Sequence, residues 1–205
     1  MVEQALRHDT LQFSPLIKQL KSEPVIDTVT GISLVPFDGT EAPEHEKWFS
    51  DQDVTRYLHP NTPFTTDPNQ RVSAKEFVDY MTASPEFAFF RIIHPRHGFI
   101  GHVSMNGINL DEMSFERAIT IGEKQYWGQG IGSAVGSIIL NHAKELGFRV
   151  ARASTKVDNT ASLRNLTRQY GPGKPNGDYI DFELDLATYS SLLDPSVSSV
   201  QSRPE

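Results

Sequence analysis

Residues 119–133, ITIGEKQYWGQGIGS, decide the fold of this chain. They begin as an alternating β-branched run and then break into a turn that contains Gly128, Gly130 and Gly132. Residues 134–147 follow with apolar side chains at helical spacing. This pattern predicts a strand, a glycine-rich turn and a helix. Because the first amides of a helix have no partner inside the helix and lie at its positive end, the turn predicts a cradle for a phosphate or diphosphate.

Three templates for phosphate-binding loops compete for this turn. The P-loop requires Gly-Lys followed by Ser or Thr, and the sequence contains no such triplet. The dinucleotide fingerprint requires a third glycine where Ser133 or Val135 stands in its two registers. The template Gln/Arg-x-x-Gly-x-Gly/Ala fits without gaps at Gln125, Gly128 and Gly130. The alternative is a glycine-rich turn with a structural role only.

The fitting template resembles the coenzyme A loop of the GNAT superfamily of N-acetyltransferases. Residues 121–132 resemble the branch of that superfamily that contains the ribosomal-protein N-terminal acetyltransferases. Further segments match in family order, and the resemblance covers about residues 30–187: ISLVP at 32–36, WFSDQDVTRYL at 48–58, DNTAS at 158–162 and GDYID at 177–181.

The resemblance implies an α/β fold with a mixed, mostly antiparallel sheet and helices on both faces. In this fold two adjacent parallel strands splay apart and open a slot for the cofactor. Here these strands would be residues 115–121 and 149–156. The sequence between Tyr170 and the last strand is short, which implies a shortened or absent strand in the C-terminal hairpin. The acceptor side would then be unusually open, filled by the N-terminal arm, or completed by a strand from a partner subunit in a homodimer.

The resemblance also implies which residues bind acetyl-coenzyme A. The backbone of the strand before the turn would pair with the pantetheine arm and the thioester, the amides of the turn would hold the diphosphate, and Asn159 would bind the end of the pantetheine. The alternative for Asn159 is a helix N-cap without a ligand. The predicted cofactor-binding residues are Ile119, Thr120, Ile121, Gln125, Tyr126, Trp127, Gly128, Gln129, Gly130, Ile131, Gly132, Ser133, Asn159 and Arg164.

Acetyl transfer needs a group that takes the proton of the amine. Glu116 is the first candidate because it matches a Glu often found in this branch, and a surface glutamate is the alternative. His102 is a second candidate, with a structural histidine as the alternative. Many members place a Tyr seven residues after the Asn to protonate the leaving thiolate, but Leu166 stands there. Tyr170 in the same helix is therefore the candidate acid, with a core residue as the alternative.

Other polar residues carry weaker signals. Arg164 and Arg168 would project from the last helix toward the 3′-phosphate, although a solvated helix face is the commoner explanation. Ser154 stands where some N-terminal acetyltransferases carry a Glu, so that base is missing. His94 and His97 lack a third ligand at metal-site spacing, and we predict no metal.

Composition sets further bounds. The chain has 205 residues, 38% hydrophobic and 22% charged, which is enough for one domain with a core. It contains no cysteine, so disulfides are excluded and a reducing, cytoplasmic location is expected. The net charge of −7 argues against a nucleic-acid partner, and no apolar run approaches the roughly 18 residues of a membrane span. The expected partners are acetyl-coenzyme A and an amine.

The domain organisation follows from these segments. We predict an N-terminal arm at residues 1–27 with a short amphipathic helix, an acetyltransferase domain at 28–187 and a flexible tail at 188–205. The leading hypothesis is an enzyme that moves an acetyl group directly from acetyl-coenzyme A to a primary amine of a protein N-terminus or a small molecule. The alternative is an acyl-coenzyme A-binding module with little or no turnover. A nucleotide-binding α/β protein is a third hypothesis.

Overall fold

The structure is a computed structural model that describes residues 14–58 and 73–193. Its helices are α1 (Pro15–Leu20), α2 (Ala42–Phe49), α3 (Gln52–Thr55), α4 (Ala74–Ala83), α5 (Ile131–Glu145) and α6 (Thr160–Tyr170), with a 3₁₀ helix at Lys124–Tyr126. Its strands are β1 (Val25–Ile26), β2 (Ser33–Pro36), β3 (Ala88–His94), β4 (Gly98–Asn109), β5 (Ser114–Ile121), β6 (Val150–Lys156), β7 (Lys174–Asn176) and β8 (Tyr179–Asp185).

The strands form one eight-stranded sheet in the order β1-β2-β3-β4-β5-β6-β8-β7. Pairing is antiparallel everywhere except between β5 and β6, which run parallel. A parallel pair needs a crossover, and α5 supplies it. The sequence therefore predicted the mixed, mostly antiparallel sheet and its one parallel pair correctly.

The larger core lies on the face of the sheet that carries α1, α5 and α6. Strand residues such as Phe90, Ile92 and Phe115 pack there against apolar positions of α5 that include Val135 and Ile139. These positions are at most 1% exposed. We call this side the helix-crossing face because α5 and α6 cross on it.

The opposite face is covered over only half of its width. Helices α2 and α4 pack an aromatic cluster against β2, β3 and β4, with Phe49, Phe77 and Phe89 at its centre. The apolar stripe of α4 is buried, with Phe77 and Val78 at 4% and 1% exposure. Over β5, β6 and β8 the same side of the sheet is covered by no helix within residues 14–58 and 73–193. We call that part the open face.

The described part of the predicted arm packs on this chain. Pro15 lies in the first turn of α1, where a missing N–H costs nothing. Ile17 and Leu20 of α1 are buried in the larger core, and β1 pairs with β2. Since β1 and β7 lie at opposite edges of the sheet, this part of the arm does not complete the C-terminal hairpin.

Local contacts set the ends of several elements. Strand β4 extends to Asn109, and its last residues pair with β5 across a bulge. Ser73 caps α4 in a capping box with Glu76. The C-terminal hairpin is shortened as predicted, because β7 has only three residues.

None of the helices in the described ranges is long and apolar enough to span a membrane.

Candidate functional site

Strands β5 and β6 stay paired over only their first three residues. The register begins with Ser114 opposite Val150 and ends with Glu116 opposite Arg152. Beyond Glu116, β5 keeps its partner β4 on one edge, but its other edge has no strand partner within the described residues. The two strands therefore enclose a slot that opens toward their carboxyl ends. The glycine-rich turn lies at the same end, directly after β5.

The turn exposes a series of backbone amides. Gly128 and Gly130 have φ values of 74° and 79°, and an added Cβ at either position would meet no atom within 4 Å. Gly130 is the N-cap residue of α5 and offers no side-chain cap. In the described part of the chain, the amides of residues 128–132 donate no backbone hydrogen bond. This concave run of donors at the positive end of a fifteen-residue helix suits a diphosphate.

The cradle is shorter than the sequence predicted. The amides of Tyr126 and Trp127 donate to the carbonyls of Glu123 and Lys124 at 3.0 Å each, inside the 3₁₀ turn. The ring of Tyr126 is buried and stacks on His94 with 5.2 Å between ring centroids. Gln125 is exposed, and its carbonyl accepts a hydrogen bond from the side chain of Gln129 at 2.6 Å. The continuous run of amides without a backbone partner in the described residues therefore begins at Gly128.

Trp127 connects the turn to the end of β5. Its indole is 43% exposed, yet its Nε1–H donates to the carbonyl of Ile121 at 2.8 Å. Ile119, Thr120 and Ile121, the predicted partners of the pantetheine, are half-buried along the slot. The carbonyl of Ile121 is thus already bonded, while the rest of that edge stays open toward β6.

Asn159 stands on the other side of the slot, where α6 begins. Its Oδ1 accepts a hydrogen bond from the amide of Ser162 at 3.2 Å, so Asn159 is an N-cap. The Nδ2 donor of an N-cap asparagine is left over for another partner. Arg164 is exposed on α6, one turn further along.

The segment around α3 crosses the mouth of the slot. At one end, Lys124 after β5 forms ion pairs with Asp51 at 2.7 Å and Asp53 at 3.0 Å. At the other end, the hydroxyl of Tyr57 donates to the carbonyl of Asp158 at 3.3 Å, beyond the end of β6. We call this segment, residues 51–57, the bridge.

The open face carries polar side chains on both sides of the slot. Glu116 is exposed on β5, and Ser154 is exposed on β6. Ser154 Oγ donates to Oδ1 of Asp181 on β8 at 2.8 Å, and Asn176 Nδ2 donates to Oδ2 at 2.7 Å. Both oxygens of Asp181 are therefore held by neutral donors. Ser154 stands where the sequence indicates a missing carboxylate, and the neighbouring strand supplies one that sequence reasoning did not find.

Tyr170 lies on the helix-crossing face, on the other side of the sheet from Glu116. Its ring packs 6.2 Å from Phe182, its hydroxyl has no hydrogen-bond partner among the described residues, and burial raises its pKa. Leu166 is also buried, at 3% exposure. The structure does not bring the two predicted catalytic residues together, and the placement of Tyr170 favours its alternative role as a core residue.

His102 is enclosed by the aromatic cluster. Its Nδ1 lies 3.1 Å from Nε2 of His45, and Nδ1 of His45 lies 2.8 Å from the carbonyl of Glu41. Burial first, and the neighbouring His45 second, hold the pKa of His102 well below its ordinary value of 6.5. This is the arrangement of a neutral, structural histidine pair, the alternative that the sequence analysis named.

A surface pocket of about 420 Å³ lies beside the 3₁₀ turn, and because none of residues 127–133 lines it, it does not coincide with the diphosphate cradle. It is lined by Pro43, Glu44, Lys47, His97, Phe99, Ile100, Glu123, Gln125 and Tyr126. Among the described residues, no group of three or more His, Asp or Glu side chains could hold a metal ion.

A family model described as "Acetyltransferase (GNAT) domain" matches residues 32–169, more than half of the chain. The chain belongs to the GNAT acetyltransferase family. The splayed strands and the amide cradle of this GNAT protein lie inside the matched range. It is an acetyltransferase, as the resemblance predicted.

Solved structures share the fold of this GNAT protein at low sequence identity. The apo form of RimL, titled a ribosomal L7/L12 alpha-N-protein acetyltransferase, superposes with a TM-score of 0.65 at 17% identity, over 80% of this chain and 94% of that one. A probable GNAT acetyltransferase of Chromobacterium violaceum gives 0.64 at 15% identity, over 81% and 87%. A GNAT acetyltransferase of Bacillus anthracis gives 0.60 at 18% identity, over 76% and 95%. No curated protein matches the chain by sequence.

Proposed function

We propose that this GNAT protein transfers the acetyl group of acetyl-coenzyme A directly to a primary amine, with the slot between β5 and β6 as the site of transfer. The observation that carries the proposal is the juxtaposition of an unpaired strand edge with a run of free amides directly after it. A thioester arm can extend β5 as a strand would, while its diphosphate lies at the start of α5. Holding both reactants in this slot supplies much of the acceleration by proximity.

In this proposal each part of the site has one role. The amides of Gly128 to Gly132 hold the diphosphate, and the open backbone of Ile119 and Thr120 pairs with the pantetheine and polarises the thioester carbonyl. Asn159 binds the pantetheine through the donor that its capping bond leaves over. Arg164 lies at the rim, where a 3′-phosphate would emerge. The exposed indole of Trp127 covers the mouth of the slot on the β5 side.

The acceptor amine approaches over the open face. It must be neutral to attack, so a carboxylate near its path assists by taking its proton directly or through water. Asp181 and Glu116 lie on that face on opposite sides of the slot, and neutral donors hold both oxygens of Asp181 in place. The amine nitrogen bonds to the carbonyl carbon, the carbon–sulfur bond breaks, and the thiolate leaves. Since neither Leu166 nor Tyr170 is exposed, water protonates the thiolate.

Two structures of the same fold support the proposed class of acceptor. RimL is titled an acetyltransferase of a protein N-terminus, and another structure of the same fold is a spermidine N-acetyltransferase chimera, with a TM-score of 0.60 at 14% identity. We propose a protein N-terminus or a small-molecule amine as the acceptor of this chain. A cytoplasmic location, a homodimer and the absence of nucleic-acid and membrane partners stay part of this proposal.

The test has two steps. Acetyl-coenzyme A at about 100 times its Kd should raise the free energy of unfolding by about 2.7 kcal/mol, whereas NAD should leave it unchanged. Release of free thiol should then rise above the background rate when peptides with free N-termini or polyamines are added. If acetyl-coenzyme A gives no stabilisation, the proposed use of the slot is wrong.

A second candidate function is an acyl-coenzyme A-binding module with little turnover. It is favoured by one observation, the burial of both Leu166 and Tyr170, which leaves α6 without an acid in the slot. Binding of acetyl-coenzyme A without any amine-dependent thiol release would support this candidate over the enzyme.

A further inference from the structure

Arg117 is a buried cation on the helix-crossing face. It follows Glu116 on β5, at the point where the pairing with β6 ends. Arg117 is only 5% exposed. Gly136 of α5 lies directly above it, and a Cβ at that position would collide with the guanidinium. The charge is therefore enclosed between β5 and the first turns of α5.

The guanidinium has only neutral partners among the described residues. Its Nη1 donates to Oε1 of Gln169 on α6, and its carbon lies 5.1 Å from the centre of the Tyr170 ring. No ion pair with a carboxylate is found for it in residues 14–58 and 73–193. Arg91 shows the ordinary arrangement, because that arginine pairs with Asp38 at 2.9 Å and approaches Glu41 at 3.4 Å. A buried charge without a counter-ion is costly.

A short chain of hydrogen bonds joins this charge to the diphosphate cradle. Gln169, which accepts from Arg117, donates from Nε2 to the carbonyl of Ser133 at 2.8 Å and to Oδ1 of Asn165 at 3.1 Å. Ser133 Oγ donates to the same Oδ1 at 2.8 Å. Ser133 lies in the first turn of α5, immediately after the free amides. The guanidinium is thus two hydrogen bonds from the end of the cradle.

We propose that Arg117 is a buried positive charge that attracts the diphosphate of the cofactor without touching it, and that Gln169 fixes its position relative to the cradle. The inference rests on the proposed function and adds a source of binding energy to it. Residues 14–58 and 73–193 offer the charge no counter-ion, and the anionic cofactor supplies one across the first turn of α5. The amides then supply directed hydrogen bonds, while Arg117 supplies the charge.

The size of the effect follows from Coulomb's law. Two unit charges about 10 Å apart in a medium with an effective dielectric of about 20 change a binding constant by roughly tenfold. An uncharged fragment of the cofactor gains nothing from this attraction. Pantetheine lacks the diphosphate and the nucleotide of coenzyme A. Comparing the affinities of the two ligands therefore separates the effect of the charge of Arg117 from the effect of its packing.

The experiment compares the dissociation constants of coenzyme A, by calorimetry, and pantetheine, by ligand-detected NMR, for the wild type and Arg117→Met. We expect roughly tenfold weaker binding of coenzyme A and an unchanged Kd for pantetheine, with no loss of thermal stability. Arg117→Lys, which keeps the charge, should retain most of the affinity for coenzyme A. Arg91→Met is the matched control: it should lower the Tm, because it leaves Glu41 buried without its cation, and keep both dissociation constants.

Other outcomes decide against the inference. If Arg117→Met weakens both ligands equally, Arg117 is a packing residue, and if it weakens neither, its charge does not reach the site. Should Arg117→Met fail to fold, Gln169→Glu tests the same idea by placing a carboxylate against the guanidinium, and an unchanged Kd for coenzyme A would overturn it. Failure of the wild type to bind coenzyme A would instead contradict the proposed function.

Discussion

Ser154 on β6 donates a hydrogen bond of 2.8 Å to Asp181 on β8, the residue directly opposite it in the antiparallel register. Strand β6 carries Ser154 where a carboxylate is missing, and the neighbouring strand β8 places the carboxylate of Asp181 on the open face instead. Asn176 of the short strand β7 binds the second oxygen at 2.7 Å. The shortened hairpin thus still orients a functional group toward the path of the acceptor.

The first prediction concerns this carboxylate. Asp181→Asn should lower kcat for amine acetylation by about 100-fold, the usual size of a proton-transfer contribution, and leave the Kd of acetyl-coenzyme A unchanged. Steady-state thiol release and calorimetry give the two values. Asp79→Asn, which removes an exposed carboxylate paired with Lys75 on α4, is the control and should change neither. A normal kcat in Asp181→Asn would assign the proton to another group, with Glu116→Gln the next variant.

The second prediction concerns the turn. Gly130→Ala places a side chain at a φ of 79°, which costs about 1–2 kcal/mol of stability, and its Cβ would project where the diphosphate approaches. We expect the Kd of acetyl-coenzyme A to rise by at least about tenfold, equivalent to about 1.4 kcal/mol. The control is Gly39→Ala. Gly39 has a φ of 92° and equally free space around an added Cβ, but it lies in the loop before α2, distant in sequence from the turn. This variant should show the same loss of Tm without a loss of affinity.

The third prediction uses the two tryptophans of the chain. Trp48 is 1% exposed, whereas Trp127 is 43% exposed beside the slot. Binding of acetyl-coenzyme A should therefore change the emission of Trp127 and leave that of Trp48 constant. A fluorescence titration should show a saturable change in the wild type that disappears in Trp127→Phe. A change that persists in Trp127→Phe would place the cofactor away from this turn.

The fourth prediction concerns pH. Burial lowers the pKa of both His45 and His102 from 6.5, so the folded state binds fewer protons than the unfolded chain below that pH. The stabilising contribution of the neutral pair is complete above about pH 6.5 and is lost as the pH falls toward the folded pKa values. Urea unfolding between pH 7.5 and 5.5 should show a decreasing free energy of unfolding. In His102→Gln the free energy of unfolding should decrease less steeply with falling pH. The same slope in the variant and the wild type would contradict the assignment of this pH dependence to the histidine pair.

The sequence predicted the elements that carry strong local patterns. The alternating residues before the turn and the helical spacing after it gave β5 and α5, and Asn159 marked the start of α6. The resemblance to the family then predicted that β5 and β6 run parallel and that they splay apart. These features were accessible because each is encoded within about twenty neighbouring residues or in motif spacing.

The parts that sequence reasoning missed depend on contacts between distant residues. Asp181 lies 27 residues from Ser154 along the chain, and only the register of β6 with β8 brings the two together. The burial of the Arg117 charge is visible only once α5 and α6 enclose it. Tyr170 shares a helix with the predicted position of an acid, but its rotation on that helix places the ring in the core. Asn106 to Asn109 have a polar composition that suggests a loop, and pairing with β5 extends the strand instead.

The bridge of residues 51–57 bears on which molecules can be modified. It is tied down on both sides of the slot, by Lys124 at one end and by Asp158 at the other. On the proposed path over the open face, a nucleophile would pass beneath this span to reach the thioester and would need a slender, extended shape. Chain ends and linear polyamines have that shape, whereas a lysine on a rigid, bulky surface would be stopped by the span before its nitrogen arrived. The bridge would then select among amines by their shape before any difference in their reactivity mattered.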